Sequence, residues 1–203
     1  MTVLLRTLAL LLLLVLLLPL LTACGKGPEL EDLMPTLRAL LDDATLLNDV
    51  MLGDGAPRGE LAFSGYYFVD DTWVAETGIG SVAELKEACR RVYTDEVCEI
   101  LFRKALTTDS ETLADYRDRA LDGGLLILAE REGWYSGTQC TYLTEEAELL
   151  ESKPGSCRIR IPVRVEKEGE QPILRTLTLP LVRGEGGAWR ADKLTLVSYD
   201  TEN

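Results

Sequence analysis

Thiols are the most reactive groups in this sequence. Cysteines stand at 24, 89, 98, 140 and 157, and no pair has the CxxC spacing of a redox dithiol or zinc knuckle. Histidine is missing altogether, which removes Ser-His-Asp and Cys-His catalysis and the commonest metal ligand. Carboxylates remain for acid–base work. Asp70 and Asp71 are adjacent, in a segment that also holds Tyr66, Tyr67 and Trp73. A carboxyl shielded by aromatic rings acquires a raised pKa and can act as a general base, so these five residues form the candidate binding set. The plainer reading of the Asp pair is a turn joining two short strands, where Asp commonly sits. A second acidic group, Asp42, Asp43, Asn48 and Asp49 with Asp54, could offer oxygens to calcium. Calcium loops need ligands at alternate positions around a glycine turn, and this stretch lacks that spacing. It reads instead as a solvated helix face, and no metal site is expected. With no nucleophile motif and no phosphate loop, no catalytic residue is assigned, and the chain is expected not to be an enzyme.

The elements that carry these residues follow from periodicity. Leu30, Leu33, Leu37, Leu40, Leu41, Ala44, Leu47 and Val50 recur at three- and four-residue spacing. They form one face of an amphipathic helix, whose regular part is expected to begin near Pro35 and to stop at Gly53. Asp42, Asp43, Asn48 and Asp49 fall largely off that face. Ser81-Val82-Ala83-Glu84 is a capping box, and the apolar phase of the helix it opens slips near Tyr93. Thr108-Asp109-Ser110-Glu111 opens another helix, expected to run to the Gly123-Gly124 stop. From residue 125 the period changes to two. Short strands are expected over 125–129, 133–142 and 147–152. Cys157, Ile159, Ile161, Val163 and Val165 then alternate with polar residues as the clearest strand, with one wet face and one dry. Pro162, on the wet face, suggests an edge or a bulge. The arginines of that face, Arg158, Arg160 and Arg164, could bind an anion but more simply keep the strand soluble. Further strands are expected around Leu177, Leu179 and Leu181 and over 188–199. Helices first and antiparallel strands after is an α+β order.

Residues 1–23 contain one charge, Arg6, ahead of an 11-residue apolar run over 8–18. That describes a secretory signal rather than a mature membrane span, which needs ~20 residues. Leu21-Thr22-Ala23-Cys24 then resembles the lipobox of bacterial lipoproteins. The resemblance implies a diacylglyceryl group on the Cys24 thiol, cleavage before Cys24, and an extracytoplasmic protein anchored by acyl chains. The membrane would be the cell membrane of a single-membrane cell, or an outer membrane otherwise. A plain signal peptide with a chance cysteine and a retained membrane helix are the alternatives. On this reading 1–23 is removed, 24–28 is a lipidated tether, 29–199 is one α+β domain and 200–203 is a polar tail. Export also suits disulfides. The four remaining cysteines allow three connectivities. A break near Tyr93 would let Cys89–Cys98 staple a helical hairpin, leaving Cys140–Cys157.

The mature chain carries 20 basic and 34 acidic residues, a net charge of 20 − 34 = −14. Phosphate backbones and anionic lipid surfaces repel such a protein, so no nucleic-acid partner is expected. The segment Gly186-Gly187-Ala188-Trp189-Arg190-Ala191-Asp192 resembles the last strand of the cone-shaped nuclear transport factor 2-like fold. That resemblance implies helices wrapped on a curved antiparallel meander around a cone. Enzymes of that fold place Asp, His or Tyr in the cone, and this chain matches none of those positions. The expected function is a non-catalytic module of the cell envelope, binding a small ligand or an envelope protein, with no cofactor beyond the acyl anchor. Two alternatives are an isomerase or hydrolase using a buried carboxylate, and a transporter-associated solute-binding lipoprotein.

Overall fold

The computed structural model describes residues 26–63, 65–107, 113–119, 124–131, 133 and 135–199. The signal peptide, Cys24 and the polar tail of the sequence reading lie outside them. Helix α1 (Leu30–Leu52) buries Leu33, Leu37, Leu40, Leu41, Ala44, Leu47, Val50 and Met51, the stripe its spacing requires. It begins one and a half turns before Pro35, earlier than expected. Proline there loses one helix hydrogen bond, but burial of Leu33 and the acidic first turn at Glu31 and Asp32 favour the extra length.

The next strands, β1 (Arg58–Phe63) and β2 (Tyr66–Val69), lead into a short helix, α2 (Asp71–Thr77). The Asp pair therefore joins strand to helix, not strand to strand. Helix α3 (Val82–Val92) starts at its capping box, where Ser81 Oγ accepts from Glu84 N at 3.2 Å. Helix α4 (Asp95–Ala105) follows after a break at Tyr93, so the slip in phase does mark a helical hairpin. The hinge is pinned to the end of the chain by a parallel bridge between Tyr93 and Ala191 and by Thr94 N donating to Ala191 O at 3.0 Å.

The capping box at 108–111 lies outside the described residues, and residues 113–119 are not helical. Tyr116–Asp118 is a strand, β3, paired with β4 (Leu125–Leu128), which also pairs with β2. Together they make a four-stranded sheet, β1-β2-β4-β3. The side chain of Tyr116 decides the matter. It is buried, its hydroxyl donates to Val50 O and accepts from Ala56 N, both at 2.8 Å, and Arg117 beside it lies over the Tyr66 ring.

The second sheet is the expected meander: β5 (Thr138–Tyr142), β6 (Glu148–Lys153), β7 (Ser156–Lys167), β8 (Ile173–Arg183) and β9 (Trp189–Ala191). Its order is β5-β7-β8-β9, with β6 sharing the β5 side of β7. Alternation in β7 holds throughout: Cys157, Ile159, Ile161, Val163 and Val165 are buried. On the wet face Arg158 and Arg160 pair across the ladder with Glu151 and Glu148, so this part of the arginine row is engaged within its own sheet. Pro162 lies in an interior strand, not at an edge. Its carbonyl accepts from Leu143 N at 2.9 Å, so its missing donor faces the gap where β5 ends and β6 has not begun. The last strand is only three residues long, although Thr195 and Val197 beyond it are buried.

The molecule is thus α+β, with helices packed on a curved antiparallel sheet. Buried residues from the long helices and both sheets form one contiguous core. The four described cysteines are free thiols, which overturns the expected disulfides Cys89–Cys98 and Cys140–Cys157. Cys140 sits opposite Val165 in the ladder and Cys157 opposite Leu181. Val165 and Cys157 are eight strand positions apart, ~26 Å at ~3.3 Å per residue, where a disulfide needs Cα atoms within ~7 Å. Cys89 and Cys98 are buried among apolar side chains of the hairpin they were expected to staple, and Cys98 Sγ donates to Tyr93 O at 3.7 Å.

Candidate functional site

A groove of about 1030 Å³ lies at the C-terminal end of α1. Helix α1 supplies Asp42, Thr45 and Asp49 to one wall, β5 supplies Gln139 and Thr141, and the β7–β8 turn supplies Glu168 and Glu170. Asp54 and Glu166 complete a lining of six carboxylates against one ammonium group, Lys167. Lys167 lies over the Tyr199 ring, 5.7 Å from its centre. Helix geometry places Asp42 and Asp49 here, seven residues or two turns apart on one face.

Asn48 does not share that face. It is 3% exposed, on the apolar stripe rather than off it. Its Nδ2 donates to Thr195 Oγ1 at 2.7 Å, and its Oδ1 accepts from Tyr93 OH at 2.8 Å. Tyr93 OH and Thr195 Oγ1 are 3.0 Å apart. With Tyr93 donating to Asn48, the Thr195 hydroxyl donates back to Tyr93, closing a ring of three hydrogen bonds beneath the groove. Tyr142 OH reaches Thr195 O at 3.1 Å. Tyr135 OH donates to Val197 O and lies 3.0 Å from Cys140 Sγ. Loop 192–199 is thereby sewn to α1, α3 and β5 through side-chain hydroxyls.

Beside the groove, the end of α1 is closed by Arg131, whose Nη1 donates to Gly53 O at 2.8 Å and Nη2 to Met51 O at 3.1 Å. Its Nε pairs with Asp115 at 3.2 Å. A guanidinium there satisfies orphan carbonyls and complements the negative end of the helix. Gly133 packs so closely on this end that a Cβ would stand 2.0 Å from Gly53 O.

Burial governs ionisation here. It pushes the Tyr116 and Tyr142 phenols up to about 12 and raises Tyr93 and Tyr135 further. None of these four supplies a phenolate near neutrality. Asp49 is exposed overall, yet crowding by the groove raises its pKa, with the Asp54 charge adding to the effect, while the Asp54 N–H and Arg131 oppose it. The groove is a polar, acidic surface whose deeper hydroxyls already have partners. Among the described residues no three Cys, Asp or Glu side chains converge as metal ligands.

Of the acidic group singled out from sequence, Asp42, Asn48, Asp49 and Asp54 line the groove, whereas the five residues of the candidate binding set lie elsewhere. Tyr66 is buried in β2 and donates to Ala114 O at 2.7 Å. Tyr67 lies under Arg58. Asp70 caps α2 by accepting from Thr72 N and Trp73 N at 3.0 Å, while Asp71 is exposed and Trp73 half-buried. None of the five lines the groove. Besides the clustered acids Asp42, Asp49 and Asp54, the groove residues carried a second signal: Asn48 is a polar residue in phase with Leu41, Ala44 and Met51. Nothing local marked Thr195 or Tyr142. No protein-family model and no curated protein matches this chain.

Proposed function

We propose that this protein is a lipid-anchored extracytoplasmic module that binds rather than catalyses, with the acidic groove as its receptor surface and a cationic, extended ligand as its occupant. The observation that carries the binding half is the lining of six carboxylates against one lysine. Clustered like charge over low-dielectric walls focuses field and draws in counter-charge. Because the carboxylates come from a helix, a strand and a turn, they suit several spaced positive groups, as in a basic peptide or polyamine. The enzyme alternative loses its carboxylates, since Asp70 is engaged as a helix cap and Asp71 faces solvent. The anchor half rests on Leu21-Thr22-Ala23-Cys24 behind its apolar run. The cone-shaped likeness stays with it as part of the proposal.

Two measurements test the halves separately. Fatty-acid labelling in cells should mark the wild type and not Cys24→Ala; an unlabelled wild type refutes the anchor. A fluorescent oligolysine peptide titrated onto the protein should bind with an affinity that falls as salt rises. The triple change Glu166→Gln, Glu168→Gln and Glu170→Gln should weaken binding about tenfold, roughly 1.4 kcal/mol. Equal binding by the triple variant would remove the groove from consideration.

A further inference from the structure

The start of the described chain is already part of the folded domain. Gly27 packs on β6 so tightly that a Cβ would stand 2.2 Å from Ser152 Oγ and 2.4 Å from Lys153 N. One residue on, Pro28 O accepts from Ser152 Oγ at 2.7 Å. Between Gly27 and Cys24 there are three chain steps, which reach at most ~11 Å when fully extended. Any group held on the Cys24 sulfur therefore keeps the β6–β7 turn, Lys153 to Ser156, close to whatever holds it.

That end of the molecule also has its own chemistry. Arg183 N donates to Gly155 O at 2.9 Å, which brings the β8–β9 turn alongside the β6–β7 turn. Trp189 is paired with Arg183 in the ladder, and the guanidinium lies 5.9 Å from its ring centre. Lys26, Lys153 and Arg183 are exposed here, with Arg190 partly neutralised by Asp95 at 3.7 Å; the exposed acids are Glu29, Glu31, Asp32 and Glu185, and Glu151 is paired with Arg158, so this end is close to charge-balanced. The acidic groove lies at the opposite end. Helix α1 leaves the tether and ends beside the groove, where Tyr135 N donates to Leu52 O at 2.8 Å. Its 23 residues span ~34 Å, and β7 runs a similar distance from Ser156 to Glu166 and Lys167.

We infer that the β6–β7 and β8–β9 turns form a membrane-facing surface, which seats the domain on anionic lipid headgroups and holds the acidic groove ~18–35 Å away, facing outward. The inference rests on the lipid-anchor reading and adds a fixed orientation to it. Cations flanking a half-buried tryptophan suit a bilayer surface. A groove with six carboxylates against one lysine is repelled by the same surface far more than the near-balanced turn end, so the charge contrast favours this pose. The tight contact at Gly27 limits the free tether to the three chain steps from Cys24.

The test uses the full chain with its own anchor, reconstituted in vesicles of phosphatidylcholine and phosphatidylglycerol. A fluorophore is placed on Gly155→Cys or on Glu170→Cys in a Cys140→Ala background, and nitroxide-headgroup lipid is the quencher. A side chain at Gly155 meets nothing within 4 Å. The label at 155 should be quenched several-fold more than the label at 170. Gly27→Val, which forces the tether off β6, should stay anchored and lose most of that difference. Equal quenching at the two sites in protein that still carries its acyl chains overturns the orientation and leaves the anchor standing. A protein that neither carries acyl mass on its first peptide nor floats with the vesicles overturns both.

Discussion

Asn48 shows how one side chain can be misread from spacing and still be informative. It lies between Leu47 and Asp49, and its neighbours Asp42, Asp43 and Asp49 are exposed. Grouping it with them follows composition, whereas its phase follows Leu41 and Ala44. A buried amide needs partners for both its donor and its acceptor, and these come from Tyr93 and Thr195, 45 and 147 residues away. Tyr93→Phe removes one hydroxyl and leaves Asn48 Oδ1 without its donor and the Thr195 hydroxyl without an acceptor. We expect a loss of about 1–3 kcal/mol, read as a lower urea midpoint at unchanged m-value. A midpoint unchanged from wild type would mean that water or a neighbour replaces the phenol and that the ring of three is not what joins α1 to loop 192–199.

At the scale of elements, periods long enough to repeat were legible and short ones were not. Helices α1, α3 and α4 and strands β7 and β8 each show several turns of apolar stripe or several cycles of alternation. The break at Tyr93 was visible for the same reason, as a change of phase. Strand β4 was read from its apolar run at 125–128, but β3 and β9, with three residues each, hold too few alternations to distinguish from a helix turn or to fix their ends. They exist because distant partners hold them, as Val50 and Ala56 hold Tyr116. The groove was illegible because its walls come from α1, β5 and the β7–β8 turn, and only folding brings those together. The same dependence on distant partners governs the end of α1, which Arg131 closes from 78 residues further along the chain. Arg131→Met should cost about 3 kcal/mol, because it leaves the Asp115 carboxylate unpaired and uncaps Gly53 and Met51. Gly133→Ala, which pushes on the same cap without touching a charge, should also destabilise. If Arg131→Met matches the wild type in thermal and urea unfolding, the cap is ornamental and the packing of α1 alone sets its end.

Across the whole molecule the buried protons all bias stability in one direction at high pH. Burial raises the thiols of Cys98 and Cys157 from an ordinary 9.0 to about 11 and that of Cys89 to about 12. It raises Tyr116 and Tyr142 from 10.0 to about 12. An acid whose folded pKa lies above its unfolded value keeps its proton longer in the folded state. The unfolded state then binds fewer protons between the two values, and stability falls as pH rises through that window. Here the windows stack from 9.0 to about 12, and each new negative charge enters a chain already at −13 near neutrality. Asp49, raised from 3.8, works the same way at a lower pH and on a smaller scale because it is exposed. The expected profile is a plateau around neutrality followed by a steep fall in urea midpoint above pH 9. The buried thiols should also resist alkylation at neutral pH in the native protein and react promptly in denaturant. Cys157→Ala, which removes one titrating group from the dry face of β7, should make the alkaline fall shallower even though the cavity lowers the plateau. A urea midpoint that stays level to pH 11 in the wild type would mean the thiols and phenols ionise as readily folded as unfolded. The packing of Cys157 against Leu181 and of Tyr116 against α1 would then be looser than their near-zero exposure implies.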